Sequence, residues 1–162
     1  MASLNAIPSI YWIQLACVDP ILSFGTMFAA IFAPDVLLAT FFPEHLITAT
    51  PFPPLYHAIL HQLGAWYLFH AILSGVALRA TRDRNVWKIS QAATLAVDTC
   101  ILWDFYASVV HQGRIDPRAW TMGELAGVVY TVWVWVVRAA FLAGVGLPGT
   151  RDVGDGAAKK RL

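Results

Sequence analysis

Four stretches of mostly apolar residues, separated by short polar or proline-rich breaks, constrain this chain more than any other feature. A helix needs about 20 such residues to cross the hydrocarbon of a bilayer, and the stretches at about 10–33, 55–78, 86–110 and 122–147 meet that length. The expected fold is all-α: one four-transmembrane-helix bundle over residues 1–149, followed by a basic tail, 150–162, with no apolar run. Composition agrees, since 58% of the 162 residues are hydrophobic and only 13% are charged, whereas ordinary soluble domains are roughly 45–50% apolar. The lipid bilayer is the expected surround. No sustained basic patch with interleaved aromatics is present, so no nucleic-acid partner is expected.

Basic residues beside membrane helices set orientation. Arg79, Arg82, Arg84 and Lys88 cluster between the second and third helices, and Arg151, Lys159, Lys160 and Arg161 lie in the tail. The first loop has no Lys or Arg and the third only Arg114 and Arg118, which predicts that both termini are cytosolic. The N-terminal stretch lacks the basic start of a signal peptide and is expected to stay as the first helix. Lys159 and Lys160 stand fourth and third from the C-terminus and resemble the dilysine retrieval signal of endoplasmic reticulum membrane proteins, with attraction to anionic lipid as the alternative. Cys17 and Cys100 both fall within helices and read as small hydrophobes, not as a disulfide.

An ionisable side chain inside a bilayer is costly, usually faces the bundle interior and marks a functional site. Asp19 lies in the first helix, Asp98 and Asp104 in the third, and Arg138 in the fourth. At about 100° per residue, Asp19 shares a face with Trp12, Ser23 and Thr26, and Pro20 should kink that helix. The two acids of the third helix are about 120° apart. Asp98 groups with Gln91 and Thr94 and is the deeper acid. Asp104 groups with Cys100, Ser108 and His111, nearer the lumenal end. Arg138 shares a face with Glu124, Thr131 and Trp135, and its depth makes Asp19 or Asp98 a better partner than Asp104. The alternatives are an arginine that locks helix packing or snorkels to the headgroups.

His57 and His61 sit one turn apart in the second helix, beside Gln62. Two such histidines can bind a metal, but the glutamate of an HExxH motif is missing and no third ligand is indicated, so neither a metal nor another cofactor is expected. Packing, interfacial and proton-relay roles stay open for them. Between the first two helices, residues 34–54 hold five prolines with Phe41, Phe42, Phe52, Glu44 and His45. This is either an interfacial aromatic belt or a lid over a cavity mouth.

Four segments, IPSIYWIQLACVDP around Asp19, HQLGAWYL around Gln62, RDRNVWKISQA at the entry to the third helix and RAAFLAGVGLPG from Arg138 onward, resemble a family of small fungal four-helix membrane proteins. The resemblance covers about residues 7–149 and is most specific in the last segment. Some of that family sit in secondary-metabolite pathways, and it is associated with membrane epoxide hydrolases of the aurovertin and citreoviridin type, which open polyene-derived epoxides. What the resemblance implies is an enzyme that hydrolyses or cyclises an epoxide of a lipophilic polyketide or terpenoid. Helix number and intramembrane acids also make the chain similar to the sterol isomerase and sigma-receptor-like superfamily, by analogy of fold alone.

If the polar faces meet, Asp19, His61, Gln62, Asp98, Arg138, Asp104 and Glu124 line one amphiphilic cavity. Trp12, Trp66, Trp103, Trp133, Trp135, Tyr11, Tyr67, Tyr106 and Tyr130 are the candidate aromatic walls for a lipophilic small-molecule substrate. Opening an epoxide needs an acid on the ring oxygen and a base on the attacking water or internal hydroxyl. The expected division has Asp98, kept protonated by burial, as the acid and Asp19, ionised beside Arg138, as the base; the reverse stays open, as does attack by an Asp to give an ester. The rival expectation is a non-enzymatic lipid- or sterol-binding or scaffold protein with no cavity. A third, proton-coupled transport, requires a chain this short to act as a homo-oligomer.

Overall fold

The computed structural model describes residues 7–43, 47, 52–81 and 83–147. Glu44, His45, Arg82 and the tail with its two lysines lie outside the described residues. Among those described there is no strand, and four helices are long and apolar enough to cross a membrane: α1 (Ser9–Phe32), α3 (Pro54–Ala80), α4 (Arg84–His111) and α5 (Met122–Leu142). A short helix, α2 (Pro34–Leu38), follows α1 directly. The fourth span ends about five residues earlier than its apolar pattern suggests. Gly144 and Gly146 adopt φ of 79° and 69°, so the backbone turns while the side chains stay apolar, and the Val145 carbonyl accepts from the Tyr11 hydroxyl at 2.7 Å.

Proline shapes the hydrogen bonding of α1 by a specific route. Pro20 has no N–H to return to the carbonyl of Ala16, four residues back. One wide, π-helical turn occupies Gln14–Val18 just before it, and Arg79 from α3 donates from Nε and Nη2 to the Ala16 oxygen at 2.9 and 2.7 Å. Its guanidinium also lies 5.3 Å from the Trp12 ring centroid. A matching wide turn, Leu73–Ala77, interrupts α3 where Gly75 meets Pro20; a Cβ there would stand 3.0 Å from the proline Cβ. Wide turns of this kind recur at functional sites, and here both lie beside Asp19.

Two apolar clusters sit at the two ends of the bundle. Tyr11, Leu15, Ala16, Leu78, Trp87, Val137 and Phe141 join all four spans at the end bearing the α1 start, where the Trp87 indole donates to the Leu78 carbonyl at 3.1 Å. Ala30, Leu37 and Leu60 pack at the other end. Large apolar side chains such as Ile21, Phe32, Leu55, Ile89 and Trp103 are exposed, as a lipid-facing surface requires. Along α1 and α3, the buried Asp19, Ser23 and His70 fall between the two clusters.

The segment after α2 folds back into the bundle. Gly123 and Gly127, one turn apart on α5, leave room for its backbone: a Cβ at Gly123 would lie 2.8 Å from the Ala39 oxygen, and one at Gly127 3.4 Å from the Thr40 oxygen. Small residues four apart let backbones approach in this way. Gly123→Ala should therefore displace the segment and cost about 1–3 kcal/mol. Gly25→Ala, which has nothing within 4 Å of its added Cβ, should be neutral or gain up to ~1 kcal/mol from helix propensity. Thermal melting of the two variants in the same detergent checks the contrast.

Candidate functional site

Arg138 is 1% exposed and joins three helices. Its Nη2 donates to Asp19 Oδ2 on α1 and its Nη1 to Asp98 Oδ2 on α4. Its Nε donates to Gln91 Oε1 at 3.1 Å. The fourth span completes the cluster: His70 of α3 places Nε2 3.5 Å from Asp19 Oδ2 and Nδ1 2.9 Å from Ser23 Oγ. One turn on, Ser74 Oγ donates to the His70 carbonyl at 2.6 Å. Asp19, Asp98, His70 and Ser23 are all buried.

The cluster is not closed. It forms one wall of a cavity of about 210 Å³ whose lining includes Asp19, Asp98, Arg138, His70 and Ser23, with hydroxyls from Thr26, Thr40, Tyr67, Thr94, Tyr130 and Thr131. Leu37 of α2 and Thr40 and Phe41 of the segment after it line the cavity too. Leu22 and Trp66 line it while remaining 44% and 41% exposed, so these two side chains belong both to its wall and to the outer surface. A volume of this size takes the reactive end of a long molecule, not the whole of it, since drug-sized sites run to about 300–1,000 Å³.

Of the residues expected at the site, Asp19, Asp98, Arg138 and Tyr130 come together. The others lie elsewhere. His61 and Gln62 are exposed on α3, and the His61 ring packs 6.1 Å from that of His57. Nine residues separate His61 from His70, which is about half a turn of the helix axis, so only one of them can face the bundle. Asp104 and Trp103 are exposed on α4. Ser108 and His111, which follow Asp104 by one and two turns on α4, line a second, more apolar cavity of about 710 Å³ with Phe42, Tyr56, Ile59 and Leu60. Trp135 lies outside the polar cavity and donates to Thr99 Oγ1 at 3.0 Å, tying α5 to α4. Of the other aromatics, Trp66 and Tyr67 line the cavity, while Tyr11 is core and Trp12, Trp133 and Tyr106 are exposed.

Glu124 is fully buried, but at the far end of α5 from Arg138. Fourteen residues separate them, about 21 Å of helix. Glu124 Oε2 accepts from the Thr121 N–H at 2.7 Å while Thr121 Oγ1 accepts from the Glu124 N–H at 3.2 Å, a reciprocal cap on the helix start. Its other oxygen accepts from Arg114. Both carboxylate oxygens are thus committed to holding the third loop against α5.

Among the described residues, no group of three His, Cys, Asp or Glu side chains is disposed to hold a metal ion. The side chains not expected to act at the site are His70, Ser23 and Gln91. Signals for all three are present: Ser23 follows Asp19 by one turn, Gln91 precedes Asp98 by two, and His70 adjoins the small residues Ala71, Ser74 and Gly75 on α3.

The family model described as Domain of unknown function (DUF7704) matches residues 4–148. The chain belongs to the DUF7704 family. No curated protein and no solved structure matches it. The match covers every described residue of the DUF7704 bundle, so the buried cluster and its cavity lie wholly inside the family domain.

Proposed function

We propose that this protein is a membrane-embedded enzyme that opens an epoxide on a lipophilic polyketide or terpenoid, by hydrolysis or by attack of an internal hydroxyl. The observation that carries the proposal is the placement of two acids on one guanidinium at the wall of a cavity with aromatic and hydroxyl lining. Burial in a bilayer favours a neutral cluster. With one arginine, two carboxyls and a neutral His70, neutrality leaves one acid protonated and one ionised, which is the pair that epoxide opening uses. Asp98 gives its proton to the ring oxygen as the carbon–oxygen bond breaks. Asp19, held by Arg138, takes the proton of the attacking hydroxyl as the new bond forms. Return of that proton from Asp19 to Asp98 resets the pair. The aromatic rings of Trp66 and Tyr67 suit an unsaturated chain and the positive charge that develops on the opening carbon.

The charge pattern supports an orientation with both termini cytosolic, since Arg79, Arg84 and Lys88 share one end of the bundle and Arg114 and Arg118 the other. The dilysine-like tail supports residence in the endoplasmic reticulum. A scaffold reading draws on the same guanidinium, because Arg138 binds α1 and α4 to α5 whether or not chemistry follows.

The test is incubation of the purified protein in lipid nanodiscs with a lipophilic epoxide in heavy-oxygen water. Hydrolysis should yield diol carrying one heavy oxygen. In a single turnover the label should appear in the diol directly; label first in an aspartate would shift the mechanism to an ester intermediate. Absence of both diol and cyclic ether across a panel of polyene and terpenoid epoxides would refute the proposal.

A further inference from the structure

We infer that Ser23 is an activated nucleophile, with His70 as its base and Asp19 as the group that orients the base, so that the cavity can also cleave an ester or lactone. Three side chains from two helices are in register for this. Ser23 Oγ stands 2.9 Å from His70 Nδ1, within the range required between a nucleophile and its base. His70 Nε2 faces Asp19 Oδ2 at 3.5 Å. An ionised Asp19 favours the proton on Nε2, which leaves the Nδ1 lone pair free for the serine proton. The order of the two ring nitrogens is reversed relative to chymotrypsin-type triads, but such constellations are recognised by roles and geometry.

The arrangement also meets two further requirements. Ser23, His70 and Asp19 all line the same cavity, so the nucleophile, its base and the orienting acid border one space. Tyr67 and Tyr130 line it as well and supply hydroxyl donors for an oxyanion. The Ser74 hydroxyl bonded to the His70 carbonyl and the wide turn at Leu73–Ala77 fix the backbone that carries the base. The cavity dimensions fit a small acyl group or lactone ring at the end of a longer apolar molecule.

The chemistry balances without any further reactant except water. Ser23 Oγ bonds to the ester carbonyl carbon, its proton passes to His70 Nδ1, and the carbonyl π pair moves onto oxygen. Collapse of that intermediate breaks the bond to the alkoxy group, which leaves with the proton from His70. Water then repeats the sequence on the acyl-serine and frees the acid. This inference does not depend on the epoxide proposal, because its test contains no epoxide.

An alkyl fluorophosphonate and the smaller diisopropyl fluorophosphate are the probes, applied to the full chain in nanodiscs. Attack by Ser23 forms an oxygen–phosphorus bond and expels fluoride. The expected result is one adduct, on the peptide containing Ser23, absent in Ser23→Ala and formed at least ~100-fold more slowly in His70→Gln. Melting of each variant in the same sample identifies any that has not folded. If His70→Gln has not folded, Asp19→Asn serves in its place and should also slow labelling. Failure of both probes to modify the folded wild-type protein, or equal labelling in a folded variant lacking the base or its partner, would overturn the inference and leave the Ser23–His70 bond as a packing contact.

Discussion

Arg138→Leu should destabilise the bundle by about 3–5 kcal/mol, the cost of removing one partner from a buried ion pair. The magnitude follows from what the guanidinium holds. It donates to Asp19 on α1, Asp98 on α4 and Gln91 on α4 from a position that is 1% exposed. With leucine there, the ionised Asp19 has no guanidinium beside it and must take up a proton or stay as an unpaired buried charge. Gln91 also loses its donor. Arg138→Lys should recover only part of the loss, because an ammonium is a point charge and cannot reproduce the planar fork that reaches three acceptors. Thermal melting in one detergent, with wild type and both variants side by side, measures the series. A leucine variant within about 0.5 kcal/mol of wild type, the scale of an uninvolved surface change, would show that Arg138 and its two acids do not hold the helices together.

Asp98→Asn should do the opposite: leave the fold in place and remove activity. Asparagine keeps the shape of the side chain and can still accept from Arg138, and the remaining cluster of Asp19 and Arg138 is neutral. Stability should therefore change by less than in Arg138→Leu. The lost carboxylic acid, in contrast, removes the proton donor to the epoxide oxygen, and such a donor contributes about 10²–10⁴-fold to rate. The expected signature is a fall in kcat with KM little changed, since the aromatic and hydroxyl lining that binds substrate is untouched. A rise in KM alone would mean that Asp98 binds substrate without taking part in the chemistry.

The four spans were legible because their length is set by the bilayer and their apolar content is unambiguous. Asp19 and Asp98 as partners of Arg138 were legible for a similar reason, since charges this deep have few places to go. Glu124 shares a helical face with Arg138, but fourteen residues of helix keep the two apart along the axis. Its TMGE sequence, Thr121 to Glu124, carries the signature of a helix cap, and the cap explains its burial. His61 and His70 are both polar residues on one apolar helix, and the small residues near His70 were the only guide to which one faces inward. Neither of the wide turns nor the seating of Ala39 and Thr40 on Gly123 and Gly127 could be read from spacing. They depend on which segments approach each other in three dimensions, and glycine spacing on α5 does not name its partner.

The most direct measurement compares turnover of a lipophilic epoxide by wild type, Asp19→Asn and Asp98→Asn in nanodiscs, with the folded fraction of each determined in the same sample. Acid/base catalysis by the pair predicts that both variants are folded and that each turns over at least ~100-fold more slowly than wild type. Full turnover by both folded variants would contradict it, and would leave Asp19, Asp98 and Arg138 as the clasp of a helix bundle.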